Sequence, residues 1–499
     1  SYLGRSRLSA ESVTLSSRSG KSAEAVVADG RPQAKGRTRE SEVPPRMSKA
    51  MRQMPDASGR RERAAGEACR GSRLDEAEPP PRVPNDTGAG LLSAVLAREN
   101  LQRAWKQVRA NKGAAGVDGL DINQTATMLR TAWPVLRDSL LKGTYRPQPV
   151  RRVMIPKPGG GERELGIPTV QDRLIQQALL QVLQPILDPT FSVHSYGFRP
   201  GRSAHDAVLA AQSFVQSGRR IVVDVDLEKF FDRVDHDILI DRLRKRVPDP
   251  GIIRLVRAYL NADIADGDAT IQRTRGTPQG GPLSPLLANL LLDEVDKELE
   301  RRGHAFCRYA DDCNVYVRSK RAGERVMALL RRLYGRLHLT VNETKSAVAS
   351  VFGRKFLGYA FWVAPRGVVK RRVADKAIKA FKVRIRELTR RVTGRSIRAV
   401  TERLRSFVLG WKAYFGLAQT PRVWRELDEW MRHRLRAIQL KQWKRGRTIF
   451  RELTAMGAKP DVAQRVAGNS RCWWRNSGML LNSVLTIKWA DQLGMPKLA

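Results

Sequence analysis

Acidic residues are scarce in this chain of 499 residues. Fifty Asp and Glu residues stand against 91 Lys and Arg residues, which gives a formal net charge of +41 at pH 7. A charge of this sign and size neutralises phosphate groups and releases their counterions, so the composition indicates a nucleic-acid partner. An anionic membrane surface is the weaker alternative.

Cysteines and long apolar runs are also scarce, and each shortage excludes a class of protein. The four cysteines form no C-x-x-C pair, which indicates neither a zinc knuckle nor a disulfide framework and fits a reducing cytosol. No run of about 18 apolar residues exists, so we expect no membrane span. The chain starts with Ser1 and lacks the apolar region of a secretory signal, which is typical of a fragment or an internal start. We expect a bacterial cytoplasmic protein associated with nucleic acid.

Composition and periodicity divide the chain into four regions. Residues 1–88 are rich in Ser, Arg, Glu, Gly and Pro, and we predict a disordered basic extension there, with an RNA-tracking arm as the alternative. Residues 89–363 alternate short β-runs with helical stretches, which predicts an α+β domain. Residues 364–440 are helical and basic, and residues 441–499 form a small basic region with several tryptophans.

The basic region 364–440 carries three apolar stripes at helical spacing. The first runs through Val373, Ala377, Phe381, Ile385, Leu388 and Val392, and the second through Ile397, Val400, Leu404, Val408, Trp411 and Phe415. The third helix begins with Thr420 as the N-cap and Pro421 at the first helical position. We predict a small bundle whose basic faces follow a nucleic-acid backbone, with ordinary solvated faces as the alternative.

Two acidic clusters stand out because acids are otherwise few. In "FCRYADDCNVYV", Asp311 and Asp312 interrupt two apolar strands, and adjacent carboxylates make physical sense at a solvated turn or around a cation. In "IVVDVDLEKFFDRVDHD", alternation places Asp224 and Asp226 on one face at a strand end. If Asp226 approached the other pair, three carboxylates could hold two Mg²⁺ ions about 3.5–4 Å apart, as polymerases require.

Two glycine-rich segments could approach a nucleotide. In "IPKPGGGERELGIP", Lys157 and Arg163 flank three glycines, so a tight hairpin could turn both cations toward one triphosphate; solvated hairpin ends are the alternative. In "RGTPQGGPLSPLLANLLLDEVDKEL", Pro and Gly precede an apolar helix. Such a segment can bring backbone close to a base pair, although it is also typical of a loop before a core helix.

The order of these motifs resembles the group II intron-encoded reverse transcriptases, also called maturases. The resemblance covers roughly residues 90 to 499 and includes further motifs, each matched by its letters in this chain. They are "NKGAAGVDG", "SYGFRPGRSAHDAV", "VNETKS", "KFLGY", "GWKAYF" and "LDEWMRHRLR".

The resemblance implies a right-hand polymerase and a role for individual residues. It implies that Asp226, Asp311 and Asp312 are the catalytic, metal-binding triad, with Mg²⁺ as the cofactor. Phe231 resembles the aromatic gate that collides with a ribose 2′-hydroxyl, with a core role as the alternative. The resemblance further implies that Lys157 and Arg163 bind the incoming triphosphate. It implies that Gln279 contacts the nascent base pair and that Lys345 is a palm lysine near the site.

The resemblance also implies domains and partners. Residues 89–363 would form the fingers and palm, 364–440 the thumb or maturase domain X, and 441–499 a DNA-binding region. The partners would be group II intron RNA, an RNA template with a DNA primer, target DNA and deoxynucleoside triphosphates. The last of the six histidines is His433, so we expect a form without the family's His- and Cys-based endonuclease. A domesticated reverse transcriptase in DNA repair or defence, and a non-catalytic splicing factor, are the alternatives; the sequence does not indicate an oligomeric state.

Overall fold

The computed structural model describes residues 90–156, 161–267, 269–390, 394–478 and 480–499. The predicted extension at residues 1–88 therefore lies outside the described residues, and so do Lys157 and Val392.

The first described part combines helices with a small sheet. Its elements are α1 Leu91–Val95, α2 Arg98–Asn111, α3 Ile122–Lys142, β1 Val150–Pro156, β2 Glu162–Ile167 and α4 Val170–Leu187. β1 and β2 pair antiparallel around the glycine-rich segment, with Ile155 opposite Arg163. This arrangement confirms the predicted hairpin. Leu96 and Ala97 separate α1 from α2.

The central part is built on a second sheet. Its elements are α5 Ala204–Gln216, β3 Ile221–Val225, α6 Phe230–Arg233, α7 His236–Arg246, α8 Pro250–Leu260, β4 Ile264–Asp266, β5 Ala269–Ile271, α9 Ser284–Arg301, β6 Ala305–Tyr309, β7 Asp312–Val317, α10 Lys320–Arg336 and β8 Ala347–Ser350. β4 and β5 complete the first sheet in the order β2-β1-β4-β5, while the second sheet has the order β6-β7-β3-β8. All neighbours in the second sheet are antiparallel.

β3 lies in the middle of the second sheet because its residues suit burial on both sides. The run Ile-Val-Val-Asp-Val is rich in β-branched side chains, which pack well on a pleated surface. Helices α9 and α10 cover one face, and their buried leucines and valines join β3, β6 and β7 in the largest apolar core. The strand ends of this sheet are therefore held rigidly.

A third, three-stranded sheet follows the central part. β9 Lys355–Phe356, β10 Tyr359–Val363 and β11 Val369–Val373 pair in the order β11-β10-β9. Val373 ends a strand here and does not begin a helix, so the predicted first helical stripe is wrong at that residue. The predicted domain limit between residues 363 and 364 falls in the turn of the β10–β11 hairpin.

The three predicted basic helices are present. They are α11 Asp375–Leu388, α12 Ile397–Phe415 and α13 Pro421–Trp443, and their apolar stripes share one core. α13 begins at Pro421 after Thr420, as predicted, but the Thr420 hydroxyl makes no capping hydrogen bond. The pattern of apolar residues therefore located this helix correctly, whereas the capping chemistry did not contribute.

The last region is helical: α14 Gly446–Ala455, α15 Pro460–Gly468, α16 Trp473–Asn476 and α17 Ile487–Gln492. Its tryptophans differ in their surroundings. Trp443, Trp473 and Trp489 pack against the local core, whereas Trp474 is 42% exposed and stacks on His433 with ring centroids 3.7 Å apart. Within the described ranges, no helix combines the length and the apolar character needed to cross a bilayer.

Candidate active site

The adjacent aspartates lie at the turn that joins β6 and β7. Tyr309 pairs with Asp312 across the hairpin, so Ala310 and Asp311 form a two-residue turn. Ala310 has φ 58°, the left-handed region that a residue with a Cβ seldom adopts. The turn therefore presents Asp311 at the tip and Asp312 at the start of β7.

Asp226 follows β3, the strand that pairs with β7. The loop before β8 holds Asp226 from several sides. Its backbone N–H donates to Ser346 Oγ at 3.0 Å, and its carbonyl accepts from the Asn342 N–H at 2.8 Å. Lys345 Nζ lies 2.9 Å from Asp226 Oδ2. The predicted lysine thus contacts a predicted metal ligand directly.

Asp226 lies close enough to Asp311 and Asp312 to affect the pKa values of both. Burial raises the pKa of Asp312 to about 7, with further contributions from the negative charges of Asp311, Asp226 and Asp224. Burial also raises the pKa of Asp311, and Asp226 adds to that rise, while Arg163 and Lys345 oppose it. Solvent reaches the side chain of Asp312 at the start of β7, but the surrounding protein displaces much of its hydration. The structure therefore brings the predicted triad together.

Asp224 is held by protein groups. Arg354 donates from Nε at 2.9 Å and from Nη2 at 2.6 Å to Asp224 Oδ2. With its NH₂ group facing the carboxylate, the Asn314 amide donates to Asp224 Oδ1 at 2.9 Å. The contacts of this carboxylate are therefore with protein groups beside the triad.

Four predicted residues line one small cavity of about 110 Å³: Arg163, Phe231, Gln279 and Asp311. Phe231 is half-buried, and its ring meets Phe230 edge-on with centroids 5.1 Å apart. Part of Phe231 therefore packs against the core, and part faces the cavity beside the acidic turn.

The segment that carries Gln279 lies directly on β2. The Gly166 N–H donates to the Gln279 carbonyl at 2.9 Å. Gly280 has φ 140°, and a Cβ there would lie 2.5 Å from the Gly166 carbonyl oxygen, so only glycine fits. This close approach fixes Gln279 next to Arg163.

A larger cleft of about 790 Å³ lies on the other side of the carboxylates. Four acids, Asp224, Asp226, Asp312 and Asp375, line it together with five cations, Lys345, Arg354, Lys355, Arg372 and Lys376. A cleft with this charge distribution suits a phosphate backbone that ends at the carboxylates.

The triad fits a hard divalent cation in its chemistry. Carboxylate oxygens are the ligands that such cations take. Burial is the main cause of the raised pKa values of Asp311 and Asp312, and the negative charge of the neighbouring aspartates, which a cation would neutralise, adds to it. In the described part of the chain, no three Asp, Glu, His or Cys side chains already converge as a metal site. Lys345 instead contributes positive charge at Asp226. The residues that would hold a cation are Asp226, Asp311 and Asp312.

Sequence reasoning missed Arg354 and Ser346, which hold the two aspartates near the end of β3. Arg354 is 130 residues from Asp224, and Ser346 is 120 residues from Asp226. No local periodicity connects positions so far apart, and only the pairing of β3 with β8 brings them together.

An antiparallel sheet backed by helices, with carboxylates at its turns and a basic cleft beside them, defines the palm of a nucleic-acid polymerase. Two family models match the chain. The model described as reverse transcriptase (RNA-dependent DNA polymerase) matches residues 155–361. The model described as group II intron, maturase-specific domain matches residues 378–456.

Curated relatives agree with these matches. Protein YkfC of Escherichia coli K12 is 33% identical over 54% of this chain and 82% of its own length. The group II intron-encoded protein LtrA of Lactococcus lactis subsp. cremoris is 38% identical over 39% of this chain and 32% of its own length. The putative COX1/OXI3 intron 1 protein of Saccharomyces cerevisiae is 26% identical over 63% of this chain and 44% of its own length.

The chain belongs to the group II intron reverse transcriptases, which unite an RNA-directed DNA polymerase with a maturase domain. The predictions of family, fold class and enzyme class are confirmed. The roles of the individual site residues and the three limits between the four predicted regions stay predictions. The chain spans only about a third of LtrA and less than half of the yeast relative, so activities of those whole proteins do not transfer directly.

Proposed function

We propose that this protein is an Mg²⁺-dependent enzyme that extends a DNA primer on an RNA template with deoxynucleoside triphosphates. The observation that carries the proposal is the proximity of Asp226, Asp311 and Asp312, which lie between a cleft lined by five cations and a small cavity. The cleft has the charge for a primer–template, and the cavity has the residues expected around an incoming nucleotide.

Each residue around the carboxylates has a defined task in this proposal. Arg163 binds the triphosphate through charge-assisted hydrogen bonds. Phe231 blocks a ribose 2′-hydroxyl, and Gln279 contacts the nascent base pair. When bound at the triad, Mg²⁺ supplies the positive field that lowers the pKa of the primer 3′-hydroxyl and stabilises the leaving pyrophosphate. Lys345, whose Nζ lies 2.9 Å from Asp226 Oδ2, holds that carboxylate in place.

The basic helices supply the proposed RNA-binding and splicing role. Lys382, Arg386 and Arg434 surround the ring of Trp430 at 5.4 to 5.8 Å from its centroid, which anchors a cationic surface across α11 and α13. We assign intron RNA to this surface and target DNA to residues 441–499, where the exposed face of Trp474 suits stacking on a base.

The test is the double variant Asp311→Ala/Asp312→Ala, studied in two assays. Primer extension on an RNA template should fall by well over the roughly 10–100-fold that even an outer partner of a metal ligand contributes. Intron-RNA affinity and splicing assistance at matched salt should be retained, because those depend on the basic helices.

A matched control is Asp237→Ala/Asp241→Ala, which removes two acids from α7, away from the triad. This control should extend primers normally. Retained synthesis in the Asp311→Ala/Asp312→Ala protein would refute the assignment of these residues. Loss of both activities in a folded protein would refute the separation of the palm from the RNA-binding surface.

A further inference from the structure

The fully buried guanidinium of Arg308 lies directly beneath the acidic turn. Arg308 is 1% exposed and occupies the position on β6 just before Tyr309. Because successive side chains of a strand point to opposite faces, Arg308 points into the core formed with α9. A charge this deep needs a specific set of partners.

All five N–H groups of the guanidinium have an acceptor. Nε and Nη2 donate to the Asp296 carboxylate at 2.6 to 2.9 Å, and Nη2 also donates to Ser195 Oγ at 2.7 Å. Nη1 donates to Asn289 Oδ1 at 2.9 Å and to the Ala310 carbonyl at 2.9 Å. The last contact reaches the residue that immediately precedes Asp311.

The anchors of this guanidinium are themselves fixed. Asp296 and Asn289 are buried on α9, 0% and 1% exposed. Asn289 Nδ2 donates to the Gly197 carbonyl at 2.9 Å, and a Cβ on Gly197 would lie 2.2 Å from the Ala310 nitrogen. Both sides of the turn are therefore held: Arg308 binds the Ala310 carbonyl, and the Ala310 amide packs against Gly197.

The turn needs this support because Ala310 has a left-handed conformation. A residue with a Cβ holds such a backbone only where its surroundings over-determine it. The contacts of Arg308 and Gly197 are those surroundings. They set the direction in which the chain leaves Ala310 and hence the orientation of the Asp311 and Asp312 carboxylates.

We infer that Arg308 is a positioning residue for the cation site. It acts through its hydrogen bond to the Ala310 carbonyl, while Asp296 and Asn289 hold its guanidinium in place. The inference rests on the proposed function, since it takes Asp311 and Asp312 as cation ligands. Arg308 touches neither substrate nor cation. Substitution of Arg308 should therefore change kcat and cation affinity and leave the nucleotide KM unaltered.

Two variants test the inference. Arg308→Lys keeps the charge but cannot serve five acceptors in the fork geometry of arginine. Arg308→Met/Asp296→Leu replaces the buried ion pair by apolar groups of similar size, an exchange that folded proteins often tolerate. In both, kcat should fall by about tenfold or more, the effect typical of groups that orient metal ligands. The KM for deoxynucleotides should stay within about twofold.

A second measurement is independent of turnover. Mn²⁺ is titrated by electron paramagnetic resonance into the protein bound to an RNA template and a primer with a blocked 3′ end. Both Arg308 variants should bind Mn²⁺ about 10–100-fold more weakly than the unaltered protein.

The matched control is Arg246→Lys. Arg246 Nη2 donates at 2.6 Å to Asp293, a buried acid on the same helix α9, but Arg246 does not contact the turn. Arg246→Lys should lower the melting temperature and leave kcat and Mn²⁺ affinity unchanged. If Arg308→Met/Asp296→Leu does not fold, Arg308→Lys is compared with Arg246→Lys by the same criteria.

Two outcomes would overturn the inference: a folded Arg308 variant with unaltered kcat and Mn²⁺ affinity, or equal losses in Arg246→Lys and Arg308→Lys. The variant Asp311→Ala/Asp312→Ala separates the two proposals. If it loses synthesis while the Arg308 variants do not, only the positioning role fails. If it retains synthesis, the assignment of the carboxylates fails.

Discussion

The carboxylates at the centre of this molecule differ in how they are neutralised. Asp224 has Arg354 and Asp226 has Lys345 within hydrogen-bond distance. In the described ranges, neither Asp311 nor Asp312 forms an ion pair with a basic side chain, and burial raises the pKa of both. These two acids thus have the greatest need of an added positive charge, which is why a cation is expected to bind there most strongly.

The first prediction at this scale concerns Arg163, whose side chain lines the small cavity. Arg163→Ala should raise the KM for deoxynucleotides roughly ten- to a hundred-fold, since a charge-assisted contact contributes about 1.5–3 kcal/mol. Affinity for the template should hardly change. Arg152→Ala is the control, because Arg152 lies on the paired strand β1 and contacts Glu164 and Asp266. An unchanged nucleotide KM with weaker RNA binding would mean that the hairpin holds the template.

The second prediction separates the two roles of Phe231. As a sugar gate, Phe231→Val should admit ribonucleotides while primer extension with deoxynucleotides stays measurable. The readout is the ratio of kcat/KM values for the two sugars. Phe230→Val is the control, because Phe230 is 3% exposed and packs in the core. A Phe231→Val protein that loses the ~3 kcal/mol typical of core truncation, with sugar discrimination unchanged, would assign Phe231 to the core.

At the scale of helices and strands, local patterns were sufficient wherever the apolar residues of an element follow a regular pattern or an unbroken β-branched run. The β-run of β3, the hairpin β6–β7 and the helices α12 and α13 follow from periodicity alone. Val373 was misplaced because its apolar side chain satisfies a helical stripe and a strand equally well. Arg308 was missed for a different reason: its acceptors lie up to 113 residues away, and a single arginine in a strand carries no periodic signal.

An element-scale prediction concerns the cationic face of α11. Lys379→Ala/Lys382→Ala/Arg386→Ala should weaken intron-RNA binding and make the slope of log K against log salt shallower by about 2 to 3, if each residue neutralises one phosphate. Primer extension on a short duplex at low salt should change little.

The control for α11 removes the same charge from another helix: Lys320→Ala/Arg321→Ala/Arg325→Ala on α10. This triple should leave the salt slope near that of the unaltered protein. Equal losses in both triples would indicate that net charge, and no particular face, binds the RNA.

For the whole molecule, the net charge of +41 indicated nucleic acid before any motif was considered. The order of the motifs then predicted the family, and the α+β architecture followed with it. What the sequence could not supply was the mutual placement of the site residues. That placement depends on the register of β3 between β7 and β8, which sets Asp224 opposite Asn314 and Ala347.

The prediction at this scale is a truncation. Removing residues 1–88, predicted from composition to be an extension, should leave polymerisation intact and make the salt dependence of RNA binding slightly less steep. The measurements are primer extension and RNA binding across a salt series. A large loss of polymerisation in the shortened protein would contradict a passive extension.

The central position of β3 also has a consequence for biosynthesis. β3 ends at residue 225, yet its two neighbours comprise residues 312–317 and 347–350. During translation the edge that pairs with β7 therefore waits for about 90 further residues, and the edge that pairs with β8 waits for about 125. Open strand edges are templates for association with other chains, and non-local pairing is slow. The nascent polypeptide should accordingly depend on chaperones or on slow elongation, and yields from recombinant expression should rise at low growth temperature.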